Sequence, residues 1–135
     1  MPRLSDRVGT FTDSVIRRMT RINNQYDSIN LSQGFPDFDP PKELTDALAK
    51  AAHDGPHQYA VTFGAQDFRE ALAKKTSPAL HHEVDANTEI CVTCGGTEAM
   101  MAAMMTICNP GDKVMVFSPF YENYGADAIL SGAEP

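Results

Sequence analysis

The residues best suited to chemistry are Gly95-Gly96-Thr97, which join an apolar run to a helix-like stretch. Paired glycines let a backbone come close to a ligand, and a helix start presents unpaired N–H groups at its positive dipole end. Thr97 adds a hydroxyl donor. Together these suit a phosphate or a carboxylate. The same residues also make an ordinary tight turn with Thr97 as helix cap, and local grounds leave both readings open. Neither G-x-G-x-x-G nor G-x-x-x-x-G-K-[ST] is matched, which weighs against dinucleotide and nucleoside-triphosphate sites. Ser118-Pro119-Phe120-Tyr121 follows the next apolar run. In parallel α/β sheets ligands sit beyond the carboxyl ends of strands, so an aromatic there could cover a flat ring or pack under a loop.

Other clusters carry less. Cys91 and Cys94 spell C-x-x-C, but side chains three apart on a strand face opposite sides, so the thiols should diverge. His53 and His57 are interrupted by Gly55-Pro56, and His81-His82 with Glu83 and Asp85 read as a solvated loop rather than a metal site. Met100, Met101, Met104 and Met105 repeat along one helix face and read as core. A lysine able to hold a carbonyl cofactor would have to be Lys42, Lys50, Lys74, Lys75 or Lys113. Four of these lie on polar helix faces and Lys113 follows a turn. None reads as a buried nucleophile.

The elements that must position these residues follow from periodicity. The spacing of Val15, Ile16, Met19 and Ile22 predicts a helix over 12–25, capped by Thr12 or Asp13 and ended by Asn23-Asn24. Residues 28–41 read as a short extended piece running into a Gly/Pro-rich loop, and Asp39 before Pro40-Pro41 reads as the cap of a second helix that Gly55-Pro56 stops. A loop over 57–65 carries Tyr59 and Phe63. A short helix around Phe68, Ala71 and Leu72 then gives way to a polar connection over 76–88. Glu89–Cys94 reads as a strand, 97–108 as a helix and Lys113–Phe117 as a second strand. Strand, helix and strand in so short a span make a βαβ unit with parallel pairing, so the class is α/β.

The chain has 135 residues, 42% of them apolar and 21% charged, which allows one soluble domain. Its net charge of −7 argues against a nucleic-acid surface. Five arginines before residue 25, opposed by Asp6 and Asp13, make the opening +3 and leave −10 for the remainder. With carboxylates interspersed, this reads as a solvated helix face rather than a membrane-binding one. No apolar run approaches a membrane span, and three cysteines without a secretory signal point to reduced thiols in the cytoplasm.

Five motifs then follow one another in order: 14–22 (SVIRRMTRI), 29–38 (INLSQGFPDF), Gln58-Tyr59, 94–99 (CGGTEA) and 109–124 (NPGDKVMVFSPFYENY). Over essentially the whole chain they resemble the amino-terminal part of class I/II aminotransferases, fold type I pyridoxal-phosphate enzymes, and most nearly the aspartate, methionine and kynurenine branch. The resemblance implies a large domain of three α/β/α layers with a mostly parallel sheet, here incomplete, preceded by an N-terminal helix and arm. Residues 1–45 would be the arm and small-domain segment, and 46–135 the first part of the large domain. It implies pyridoxal 5′-phosphate as cofactor, amino acid and 2-oxo acid as substrates, and a homodimer when full length. By the same resemblance Gly96 and Thr97 would hold the cofactor phosphate and Tyr121 would stack on its ring. Gly34 would offer backbone to the substrate carboxylate, and Tyr59 would reach the phosphate in the neighbouring subunit.

The family's catalytic lysine, pyridinium-binding aspartate and carboxylate-binding arginine match no position here. One βαβ unit also gives only two strands, too few for a parallel sheet covered on both faces. The expectation is therefore the front part of a longer aminotransferase, inactive alone. The competing reading is a non-catalytic phosphate-binding fragment or partner subunit.

Overall fold

The chain forms five helices, α1 (Val15–Tyr26), α2 (Lys42–Asp54), α3 (Gln66–Leu80), α4 (Gly95–Ile107) and α5 (Asn123–Leu130), after a 3-10 turn over Asp6–Thr10. A side-chain cap opens α1 and a glycine closes α2. The computed structural model describes residues 3–135. No described helix is long and apolar enough to cross a membrane.

The cap of α1 is Ser14, not Thr12 or Asp13: its hydroxyl accepts from the Arg17 N–H. The Glu122 carboxylate accepts from the same hydroxyl and from the Val15 N–H, so a distant carboxylate completes the helix start. Asp13 instead pairs with Arg21, and Arg3 with Asp6, so part of the basic opening is spent on local ion pairs. Nor does α1 stop at Asn23-Asn24. It runs to Tyr26 and ends on Asp27 in a left-handed conformation. Asp39 does not cap α2 either; the cap position is Pro41, with no side-chain bond, and the helix ends at Gly55 as expected.

Helix α3 is longer than its periodicity implied and takes in residues 76–80 of the expected surface connection. Pro78 lies close enough to its end that the turn survives, with Thr76 and Ser77 hydroxyls donating to the Leu72 and Ala73 carbonyls. Its buried side chains are Arg69 and Ala73, on another line from the Phe68–Ala71–Leu72 face. Helix α5 has no counterpart among the elements expected from periodicity; it packs on α4 and buries Asp127 and Ala128. One Asp127 oxygen has no partner, and burial raises this carboxyl's pKa.

The largest difference concerns the strands. Glu89–Cys94 and Lys113–Phe117 form no strand, and no ladder joins them among the described residues. Val92 donates to the Phe63 carbonyl (3.0 Å), and Lys113 forms a parallel bridge with Glu134. A strand is stabilised as one only when a neighbour takes its N–H and C=O groups. The Lys113 bridge is parallel, as the βαβ reading requires of its strands, but its partner is Glu134 rather than the Glu89–Cys94 segment, so the α/β reading survives as a single bridge rather than a sheet.

The core is correspondingly thin. Buried apolar residues are Ala73, Ala86, Ala128 and Ala133. The methionine face of α4 is half-covered at Met100, Met101 and Met104 and open at Met105, so the expected core is not assembled around it. Accessible surface is 11561 Å², against about 6,900 Å² for a compact monomer of this mass. Met115 and Phe117 are each about four-fifths exposed. The isolated 135-residue chain is therefore expected to bind an apolar dye such as ANS and to melt without a cooperative transition; sharp, dye-silent unfolding would contradict this.

The segment entering α4 begins at a hydrogen-bonded turn. The Asp85 carboxylate accepts from the Asn87 N–H (2.8 Å) and the Thr88 hydroxyl (2.9 Å), while Glu89 accepts from the Asp85 N–H (2.7 Å) and contacts His82 (3.0 Å). The Asn87 backbone bond, then Thr88, lowers the Asp85 pKa from its ordinary 3.8. The Asp85 backbone bond, then His82, lowers that of Glu89 from 4.5. Both folded values are depressed, so the turn's contribution is complete above the ordinary values and is lost as pH falls through the lowered ones. An NMR titration should show the Asn87 and Asp85 amides losing protection only below about pH 4.

Candidate functional site

Three of the five expected site residues converge at the start of α4. Gly96, Thr97 and Tyr121 line one cavity of about 400 Å³ together with Met100, Asn123 and Tyr124. Gly95, at φ +77°, turns the chain into the helix, a conformation that costs a glycine little. The Cys94 N–H is taken by the Glu98 carboxylate, which reaches back across the first turn. The backbone N–H groups of Gly96 and Thr97 have no partner among the described residues. A Cβ built on Gly96 would meet no atom within 4 Å, so the backbone there stands open. This leaves a helix N-terminus with free donors and its positive dipole end facing space.

The fourth residue, Gly34, lies in an adjoining cavity of about 410 Å³ with Ser14, Thr20, Gln33, Tyr121 and Glu122 among its lining. Tyr121 is common to both cavities. The Gly34 loop is held by Asn30, whose side-chain oxygen accepts from the Ser32 N–H (3.0 Å) and the Gln33 N–H (3.3 Å). The Asn30 amide in turn donates to the Thr20 hydroxyl of α1 (3.2 Å), so α1 carries the loop. The fifth residue, Tyr59, lines neither cavity and is fully exposed.

Sequence reasoning singled out Tyr121 but passed over its neighbours. The Asn123 amide donates to the Thr97 hydroxyl oxygen (3.3 Å), which leaves the Thr97 proton free to point toward an anion. Tyr124 meets Tyr121 edge to face, with ring centroids 5.9 Å apart and planes at 76°, and fixes its ring. The three-residue spacing of the two tyrosines is one helical turn, a signal available in the sequence. The bond from Glu122 to Ser14 spans more than a hundred residues and had no local signal. The cysteines are free, Cys91 and Cys94 are exposed, and no metal-binding cluster occurs among the described residues. Lys42 and Lys50 pair with Asp46 and Asp54 on the outside of α2.

A fold of this kind, with an open helix start beside a tyrosine shared by two cavities, matches known proteins along its length. The family model for aminotransferase class I and II matches residues 26–135, and the chain belongs to that family. It is 42% identical over 119 residues to a methionine aminotransferase of Escherichia coli, covering 88% of this chain and 31% of the relative. It is 35% identical over 132 residues to a kynurenine–oxoglutarate transaminase of Dictyostelium discoideum, covering 97% of this chain and 30% of the relative. The solved structure of N-succinyldiaminopimelate aminotransferase from Mycobacterium tuberculosis superposes with a TM-score of 0.89 at 31% identity, over 98% of this chain and 34% of that one. The chain thus spans about a third of the length of the relatives it matches.

Replacing Gly96 separates the fold from the site. Gly96→Ala in a full-length protein should hold or raise the melting temperature, since alanine favours a helix over glycine by up to about 1 kcal/mol. The added methyl meets no atom of the chain. For an anion held at the neighbouring free N–H groups it would crowd the site, so in that case affinity for inorganic phosphate should fall several-fold by calorimetry.

Proposed function

We propose that this chain is the N-terminal part of a pyridoxal-phosphate-dependent aminotransferase, which moves an amino group between an amino acid and a 2-oxo acid. The observation that carries the reading is the convergence on Tyr121 of an open helix start on one side and the Gly34 loop on the other. Relatives named as methionine, kynurenine and N-succinyldiaminopimelate aminotransferases support it.

The residues fit the cofactor's two ends. A phosphate dianion suits the free N–H groups of Gly96 and Thr97 and the Thr97 hydroxyl, oriented by Asn123. A flat pyridine ring suits the face of Tyr121, braced by Tyr124. When bound, the cofactor supplies an electron sink that makes the proton on the substrate's α-carbon removable. This chain's residues bind and orient. Gly96 and Thr97 anchor the phosphate, Tyr121 sets the plane of the ring, and Gly34 offers backbone to the substrate's carboxylate end. Lys42 and Lys50 are committed to ion pairs, and no lysine lines either cavity. The lysine that holds the cofactor, the aspartate at its ring nitrogen and the arginine for the substrate carboxylate belong to the two thirds of such an enzyme that this chain does not span.

The exposure of Tyr59 supports a homodimer in which it reaches the neighbouring subunit's cofactor phosphate. Residues 1–45 then form the arm and small-domain segment, and 46–135 open the fold type I cofactor domain, with α2 crossing from one to the other. The missing strand partners and the open apolar surface accord with a parallel sheet completed by further chain. We place the enzyme in the cytoplasm, in keeping with its free thiols.

Thr97→Val tests the phosphate anchor, because it keeps the side chain's shape and removes the hydroxyl. A lost hydrogen bond to a charged group costs about 1.5–3 kcal/mol, so cofactor affinity in the full-length protein should fall tenfold or more by absorbance titration. A full-length protein that develops no absorbance band of lysine-bound cofactor, and transfers no amino group, would overturn the reading.

A further inference from the structure

Arg69 is the one buried cation among the described residues, 5% exposed in a chain where little else is buried. A guanidinium taken out of water must find acceptors for its donors, and Arg69 finds three. Nε donates to the Gly64 carbonyl (3.0 Å), one terminal nitrogen to the Ala86 carbonyl and the other to the Gln66 side-chain oxygen. Gln66 reaches Asn87 as well (3.2 Å).

Two of these acceptors lie on different segments. Gly64 ends the loop that carries Tyr59, and Ala86 lies in the turn that opens the segment leading into Gly95-Gly96-Thr97. The same two segments meet again below the arginine. The Val92 N–H donates to the Phe63 carbonyl (3.0 Å). Gly64, at φ +105°, lies so close to Val92 that an added Cβ would sit 2.4 Å from its Cγ2. The other end of the loop is tied where the His57 ring contacts the Ala52 carbonyl of α2 (3.0 Å). Tyr59 projects between the two anchors, with no hydrogen bond of its own among the described residues.

We propose that Arg69 is a positioning residue that holds the Tyr59 loop at a set distance from the phosphate-binding end of α4. Arg69 touches neither cavity and acts through Gly64 and Ala86. In a dimer the same strut connects the phosphate site of one subunit to the tyrosine that serves the other. This rests on the reading of Tyr59 given above. A lysine would keep the charge but reach fewer of the three acceptors, and a methionine would keep the bulk and reach none.

The test uses the full-length protein with Arg69→Met, Arg69→Lys, Tyr59→Phe and the double variant Arg69→Met/Tyr59→Phe. In cofactor-free protein, amide exchange at Gly64 and Val92 should quicken at least tenfold in Arg69→Met and less in Arg69→Lys, with α1, α2 and α5 unchanged. Titration with pyridoxal 5′-phosphate should show Arg69→Met and Tyr59→Phe each weakening binding about tenfold, and the double variant no weaker than the worse single one. Wild-type exchange at Gly64 and Val92, exchange raised uniformly over the protein, or losses that multiply in the double variant would each overturn the proposal. If Arg69→Met does not fold, Gly64→Ala moves the same loop by the Val92 clash, and its loss should likewise fail to multiply with that of Tyr59→Phe. A wild-type protein that takes up no cofactor would sink the aminotransferase reading, and the exchange data would still decide whether Arg69 ties the loop.

Discussion

The unpaired N–H groups at the start of α4 are the constraint around which the site is arranged. A helix can satisfy its first donors with a side-chain cap, and this one largely does not: Glu98 takes the Cys94 N–H and leaves those of Gly96 and Thr97 facing open space. Without a Cβ on Gly95 or Gly96, nothing on the chain fills that space. An anion is the natural complement of free donors and a positive dipole end. The surroundings then follow from it, with Asn123 orienting the Thr97 hydroxyl and Tyr121 standing over the adjoining cavity.

Contacts distant in sequence hold that arrangement. Glu122, next to Tyr121, bonds the start of α1 and so ties the helix that carries the Gly34 loop to the tyrosine between the cavities. Thr20 and Asn30 extend the link to Gly34 itself. On the opposite flank Arg69 joins the Tyr59 loop to the segment that enters α4. These ties are polar because the chain has little apolar core to offer. Its largest apolar side chains remain on the surface, including Met115 and Phe117 beside the site. A parallel sheet needs neighbours on both edges and helices on both faces, and a third of the relatives' length supplies few of either.

Periodicity and punctuation located four helices. Val15, Ile16, Met19 and Ile22 marked α1, and Gly55 stopped α2. The start of α4 was legible to within two residues: the glycines read as a turn before a helix from 97, and the helix takes them in from Gly95. Helix ends were harder. Ser14, Thr12 and Asp13 are all good caps, and the choice went to Ser14, where Glu122 adds a second bond. Residues 76–80 read as part of a polar connection because they lack an apolar period, yet they continue α3 to Leu80 with Pro78 near its end. Helix α5 is only eight residues long and has Gly125 within it, so its signal was weak beside its tertiary contact with α4.

By itself the sequence determined the local chemistry: glycines and a threonine where a backbone must lie open, an aromatic after an extended run, and an ordered set of motifs that places the chain among class I and II aminotransferases. It could do so because turn geometry, capping and helix periodicity depend on neighbours within a few residues. The tertiary structure alone decided that Tyr121 is shared by two cavities, that Glu122 completes the start of α1, and that Arg69 is buried. It also decided that the two segments expected as strands carry no ladder between them. These features depend on which groups meet across separate segments, from 17 residues apart at Arg69 and Ala86 to 108 at Ser14 and Glu122, or fail to meet at all, and no local pattern encodes such a partner.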